Sequence, residues 1–190
     1  WAATVPNCRA YDPAFAYEMA AIIRDGIARM YPPAGAEHGE DVFYYLTLYN
    51  ENYRMPQIPE PLVDGLDVVD GIIGGLYPWA AAPSVDGPSA TVLFSGPTWQ
   101  TAVEAQGLLA EHYGVGAQLW SATSYQQLRL DALAVERWNA LHPTAPPRTP
   151  RVTETLSLSA RLARPVADAW LVQWAHLARR DGPEYWGTVL

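Results

Sequence analysis

The stretch Thr91–Tyr125, TVLFSGPTWQTAVEAQGLLAEHYGVGAQLWSATSY, decides the fold. Thr91-Val92-Leu93-Phe94 is a short run of β-branched and apolar residues, the composition of a buried strand. Ser95-Gly96-Pro97-Thr98 breaks that run, and a helix is predicted from there to about His112. Gly114-Val115-Gly116 then turns the chain into a second strand, Ala117–Ala122, and Ser124–Asn139 reads as helical. Strand, helix, strand, helix in this order implies a mostly parallel sheet, because parallel neighbours need a crossover connection between them.

Upstream, Asp12-Pro13 reads as a helix cap followed by Pro at the first helical position. Phe15, Met19, Ile23, Ile27 and Met30 recur at three- and four-residue steps, which predicts a core-facing helix ended by Tyr31-Pro32-Pro33. A loop from Ala34 to Glu40 leads to Asp41–Tyr49, rich in aromatics and Thr and predicted as a strand, closed by the polar cluster Asn50-Glu51-Asn52-Tyr53. Residues 56–88 hold six prolines and several glycines without a sustained apolar stripe. They read as a linker, with Val63–Tyr77 a short helical or extended piece inside it. Beyond the decisive stretch, His142–Arg151 is a Pro-rich loop. Pro165–Ala169 with Trp170–Leu177 suggests a further strand and helix, and Tyr185–Val189 a last strand. The expectation is two α/β units joined by a Pro/Gly-rich linker. The first is too small to be an independent layer.

Composition narrows the function. Of 190 residues, 49% are hydrophobic and 12% aromatic, with 17% charged, which describes a folded protein. Eight Trp and eleven Tyr suit both cores and protein contacts. A net charge of −8 with scattered arginines argues against nucleic acid and against a membrane surface. No apolar run approaches the ~18 residues of a spanning helix, no secretory pattern is visible, and the single Cys8 fits a reducing compartment, so a cytoplasmic location is expected.

The search for chemistry yields little. The Ser95-Gly96-Pro97 turn before a helix could present amides to an anion, but without a Gly-x-Gly-x-x-Gly or a P-loop Lys a tight connection is the better reading. His38, His112, His142 and His176 are far apart, so no metal site is expected. No Gly-x-Ser-x-Gly elbow supports a hydrolase. Cys8 could be a nucleophile, but a buried structural thiol is favoured. Asn50, Glu51, Asn52, Tyr53 and Arg54 form the densest polar group beside a strand end, either a near-site cluster or a solvated turn.

Four blocks carry a resemblance: PNCRAYDPAFAYEMAAIIRDGIARMY (Pro6–Tyr31), DVFYYLTLYNENYRMP (Asp41–Pro56), HYGVGAQLWSATSY (His112–Tyr125) and VERWNALHP (Val135–Pro143). Together they resemble the decarboxylating component of the homodimeric bacterial pyruvate dehydrogenase, in the same order and at family-like spacing. The match is tight through Pro143 and loose from Arg151 onward, poorest over Leu156–Arg180. The resemblance implies a partial pyrimidine-binding-type domain over residues 1–55, the linker 56–88, and a transketolase carboxy-terminal-like domain over 89–190. It also implies thiamine diphosphate and magnesium in the assembled enzyme, which would decarboxylate a 2-oxo acid and pass on the acyl unit.

The family's Gly-Asp-Gly signature, its aminopyrimidine-activating glutamate and its histidine-rich segment are not in this sequence. No catalytic, cofactor-binding or metal residue is therefore carried over, and direct cofactor contact is not expected. The chain is expected to work with chains carrying the diphosphate-binding and remaining pyrimidine-binding domains, as a hetero-oligomer with dimeric symmetry. An acyl carrier or lipoyl domain is a further candidate partner. Phe15, Met19, Asn50, Glu51, Asn52 and Tyr53 are the interface or near-site candidates. The alternatives are a portion of a longer chain with the same activity, a transketolase-like carboligase acting on an aldehyde or carrier-bound acceptor, and a non-catalytic interaction protein.

Overall fold

The computed structural model describes residues 2–32, 38–62 and 65–152, together with the backbone of two short strands farther on. Strand β1 (Cys8–Tyr11), helix α1 (Ala16–Met30) and strand β2 (Phe43–Leu46) form the first unit. The strands pair in parallel, Cys8 opposite Phe43 and Tyr11 opposite Leu46, with α1 as the connecting helix. Helix α2 (Val68–Gly74) and strand β3 (Tyr77–Ala80) follow, then β4 (Ser89–Phe94), α3 (Trp99–Tyr113), β5 (Gly116–Ser121) and α4 (Tyr125–Leu141). The order β3-β5-β4 makes a three-stranded sheet in which β4 and β5 are parallel and β3 is antiparallel.

The decisive stretch folds as expected. β4, α3 and β5 form the parallel crossover unit, and Ser124 caps α4 by accepting the Gln127 N–H at 3.1 Å. The chain is thus mixed α/β with small parallel sheets, the coarse form of the expected class. The expectation of a connecting segment between 56 and 88 meets more structure than a linker carries. Val68, Ile72, Leu76 and Tyr77 are all buried there. Local features add to that packing: Asp67 accepts the Asp70 N–H as the α2 cap, and Pro78 is tolerated because β3 pairs on one side only.

Two readings at the amino-terminal end are corrected. Asp12 does not cap α1. The chain is still extended there, β1 having gone unrecognised, and the Asp12 N–H donates to Thr123 O at 2.7 Å. The helix begins at Ala16, and Glu18 closes its first turn by accepting the N–H groups of Ala14 at 2.6 Å and Phe15 at 3.1 Å. The core face of α1 is also rotated from the expected stripe. Glu18, Ala21, Ile22 and Gly26 face inward, whereas Ile23 is 44% and Ile27 53% exposed. Gly26 permits the rotation. A Cβ there would stand 3.0 Å from the Tyr44 ring, so the β2 side chain packs directly on the helix backbone.

Three clusters of buried residues form the core. Tyr11 and Ile22 pack with Val68, Ile72 and Tyr77. Phe15 packs with Phe94, Ala102 and Leu119, and Leu76 with Trp120, Ala122 and Leu128. The first two clusters join residues before 55 to residues after 56, so the units share their apolar interior. Around Phe15, Trp79 stacks at 5.4 Å, while Phe94 and Trp99 meet it edge-on.

The free edge of β1 is covered by α4. Gln126 donates from Nε2 to Cys8 O at 3.0 Å and accepts the Ala10 N–H at 2.7 Å, as a neighbouring strand would. Farther on, Leu171–Val172 and Glu184–Tyr185 pair as parallel strands β6 and β7. Strand therefore replaces helix at Leu171–Val172, in keeping with a β-branched residue among large apolar ones. The rest of the expected elements over 165–170, 173–177 and 186–189 lie outside the described residues.

Candidate interface site

Four of the six candidates come together. Phe15, Met19, Glu51 and Tyr53 line a cavity of about 210 Å³ between the start of α1 and the segment after β2, with Leu48, Tyr49 and Met55 on its rim. Asn50 and Asn52 do not line it. Phe15 lies beneath the floor, 1% exposed and part of the core, while Met19 is half-buried. The polar tips hold the walls. The Tyr53 hydroxyl donates to Ala14 O, and the Tyr49 hydroxyl donates to Asp12 Oδ1 at 2.5 Å. Asp12 Oδ2 also accepts the Ser95 hydroxyl at 2.9 Å. That carboxylate ties three chain segments together. Its hydrogen bond, ahead of burial, pushes the Tyr49 phenol up to about 12.

The Ser95-Gly96-Pro97 turn is therefore filled by protein groups. Gly96 has φ +52°, and a Cβ there would stand 2.7 Å from the Tyr49 ring. Its serine hydroxyl already faces a carboxylate, the wrong sign for a neighbouring anion.

Below the cavity lies a buried acid that sequence reading passed over. Glu18 is fully buried, and its Oε1 accepts the hydroxyls of Tyr77 at 2.6 Å and Ser121 at 2.7 Å. Since Tyr77 donates to Glu18, the Tyr17 hydroxyl, 2.7 Å from the Tyr77 oxygen, donates to Tyr77. Burial raises the Glu18 pKa, and the four donors from Tyr77, Ser121, Ala14 and Phe15 only partly oppose it. With both oxygens saturated by the protein, Glu18 acts as an anchor between α1, β3 and β5. The signal in the sequence was a glutamate three residues past the start of a helix, a half capping box.

Outside the cavity the apolar surface continues along α1. Met19, Ile23, Ile27 and Tyr31 lie at four-residue steps, and the last three are 44%, 53% and 75% exposed. Leu48 and Met55 add 67% and 45% exposed side chains beside it. Cys8 is buried in β1. His38, His112 and His142 are exposed, and His176 lies outside the described residues. Among the described residues no group of three or more His, Cys, Asp or Glu could hold a metal ion, and no helix is long and apolar enough to cross a membrane.

The described residues thus form an α/β framework with a packed interior and an apolar outer face on α1. Residues 1–56 match the family model of the pyruvate dehydrogenase E1 component middle domain. The pyruvate dehydrogenase E1 component of Pseudomonas aeruginosa is 42% identical over 155 residues, 82% of this chain and 16% of that protein. That of Escherichia coli K12 is 41% identical over 156 residues, with 81% and 16% covered. That of Mycolicibacterium smegmatis is 42% identical over 170 residues, with 90% and 17% covered. The chain is thus related to the pyruvate dehydrogenase E1 component across most of its own length, and it spans about one sixth of the length of these relatives.

Proposed function

We propose that this chain is a structural and contact-forming portion of a thiamine-diphosphate- and magnesium-dependent enzyme that decarboxylates a 2-oxo acid such as pyruvate and transfers the acyl unit. In this reading residues 1–55 are the end of a pyrimidine-binding-type domain. Residues 56–88 are a structured connection carrying α2 and β3, and residues 89–190 belong to a transketolase carboxy-terminal-like domain. The similarity to E1 components supports the enzyme class. No Gly-Asp-Gly stands anywhere in the 190 residues. With no carboxylate cluster among the described ones either, these residues do not fit a magnesium diphosphate. No chemical step is assigned to them.

The observation that carries the contact role is the rotation of α1. Its polar anchor Glu18 and Ile22 face the core, while Met19, Ile23 and Ile27 form an apolar ridge left on the surface. A ridge of this kind marks an interaction site rather than an ordinary surface helix. Its expected occupant is the remainder of the pyrimidine-binding domain, on the same or a separate chain, as in the oligomer implied by the resemblance.

Gentle purification from the native source, followed by mass spectrometry, tests this. The expected result is recovery with sequence bearing a Gly-Asp-Gly segment and bound thiamine diphosphate. Ile27→Asp should abolish that association while leaving the thermal unfolding of the chain within about 0.5 kcal/mol of the original. A chain recovered alone, or unchanged association of the variant, overturns the proposal.

A further inference from the structure

The cavity between the start of α1 and the segment after β2 has apolar walls and a single charge. Phe15, Met19, Leu48 and Met55 line it with the rings of Tyr49 and Tyr53, and Glu51 is the one charged residue of the described lining. The two phenol hydroxyls spend their protons on Asp12 and on Ala14 O, so neither is free to hold an anion. Glu51, in contrast, makes no hydrogen bond or ion pair among the described residues. At about 210 Å³ the cavity falls short of the roughly 300 Å³ at which small-molecule sites begin, and it suits one large side chain.

Charge selects the kind of side chain. Burial first, then the charges of Glu18, Glu51 and Asp12, push the Tyr53 phenol up, and no cation opposes them. Asp12, by hydrogen bond and charge, and Glu51 by charge act in the same direction on Tyr49. The cavity therefore stands in an uncompensated negative field, on a chain of net charge −8. An apolar occupant would cover Glu51 without pairing it, and an acidic one would be repelled. A cation on a long apolar stem meets both demands. Its stem lies along the adaptable thioethers of Met19 and Met55, and its head reaches the aromatic faces and the carboxylate. Met19 is also the first residue of the α1 ridge, so a partner that covers Ile23 and Ile27 passes over the cavity.

We propose that this cavity receives an arginine or lysine side chain of the partner that covers α1, with its charge held at Glu51. The proposal rests on the contact role of α1 and adds the chemistry of one contact. The three methionines provide the test, since Met19 and Met55 line the cavity and Met30 does not. With their ε-methyl groups ¹³C-labelled, the chain is titrated at constant ionic strength with n-butylammonium, and with n-pentanol as the neutral counterpart. Butylammonium should shift the Met19 and Met55 signals saturably, about ten-fold tighter than pentanol, and leave Met30 in place. Glu51→Gln should bring butylammonium down to the level of pentanol at an unchanged unfolding temperature. In the assembly recovered with its partner the cavity is filled, so neither methionine should respond, and Glu51→Gln should weaken the association about ten-fold. Equal binding of the two probes, an undiminished response in folded Glu51→Gln, or an undiminished response in the assembly overturns the proposal. If Ile27→Asp abolishes association while butylammonium never binds, the contact role stands and this occupant falls. A butylammonium response in a chain recovered alone removes both together.

Discussion

Replacing Tyr77 by Phe deletes one oxygen at the junction of the two units. The ring is fully buried among Tyr11, Ile22 and Ile72, and those contacts survive the substitution. The hydroxyl that disappears donates to Glu18 Oε1 at 2.6 Å and accepts from Tyr17 at 2.7 Å. Tyr17 is half-buried and turns to water at small cost, whereas Glu18 has no solvent access with which to replace the lost donor. A hydrogen bond to a charged group contributes about 1.5–3 kcal/mol, and that is the expected loss when the carboxylate carries its charge. At roughly 2–4 °C per kcal/mol for a chain of this size, the midpoint falls by about 3–12 °C. Urea unfolding followed by tryptophan fluorescence should show a lower midpoint with an unchanged slope, since Trp79 and Trp99 report on the adjoining cluster. A double-mutant cycle with Glu18→Gln should give a coupling of about 1 kcal/mol or more. A loss below about 0.5 kcal/mol, or strictly additive variants, would refute the view that this bond joins the units.

The inward register of α1 is tested by adjacent alanines. Ile22→Ala, at a fully buried position, should cost about 2–5 kcal/mol, while Ile23→Ala, 44% exposed, should stay within about 0.5 kcal/mol. Equal losses measured by chemical denaturation would point back to the Phe15–Met30 stripe as the core face. Glu18 also gives the stability a pH dependence. Its folded pKa is raised from the ordinary 4.5, so the folded chain holds the proton more tightly than the unfolded one. That contribution is fully present below 4.5 and is lost as pH rises through the folded value. Glu18→Gln should flatten this part of the midpoint-against-pH profile, and a profile that keeps its slope would remove Glu18 as the cause.

The β4-α3-β5-α4 order was legible from Thr91–Asn139 because its signals are local: apolar runs, a Gly-Pro break and a serine cap each act within a few residues. The resemblance was legible for the same reason, being carried by short contiguous blocks such as Pro6–Tyr31. Asn50–Tyr53 could be marked as a polar cluster at a strand end, and the tertiary structure brings only Glu51 and Tyr53 of it to the cavity. What the sequence could not determine lies in contacts between distant segments. The stripe Phe15–Met19–Ile23–Ile27–Met30 reads as a core face by periodicity, yet the face chosen holds a glutamate. Tyr77 and Ser121, remote in the chain, supply the donors that let Glu18 be buried, and Gly26 lets Tyr44 close on the helix. Helix α2 was legible only as a short helical or extended piece within Val63–Tyr77, and β3 was hidden, because Ile72, Leu76 and Tyr77 gain their stability from packing that no local pattern of Pro and Gly reveals. Local propensity and spacing are properties of the chain itself, whereas the side of a helix that turns inward depends on which polar groups find partners once the elements meet.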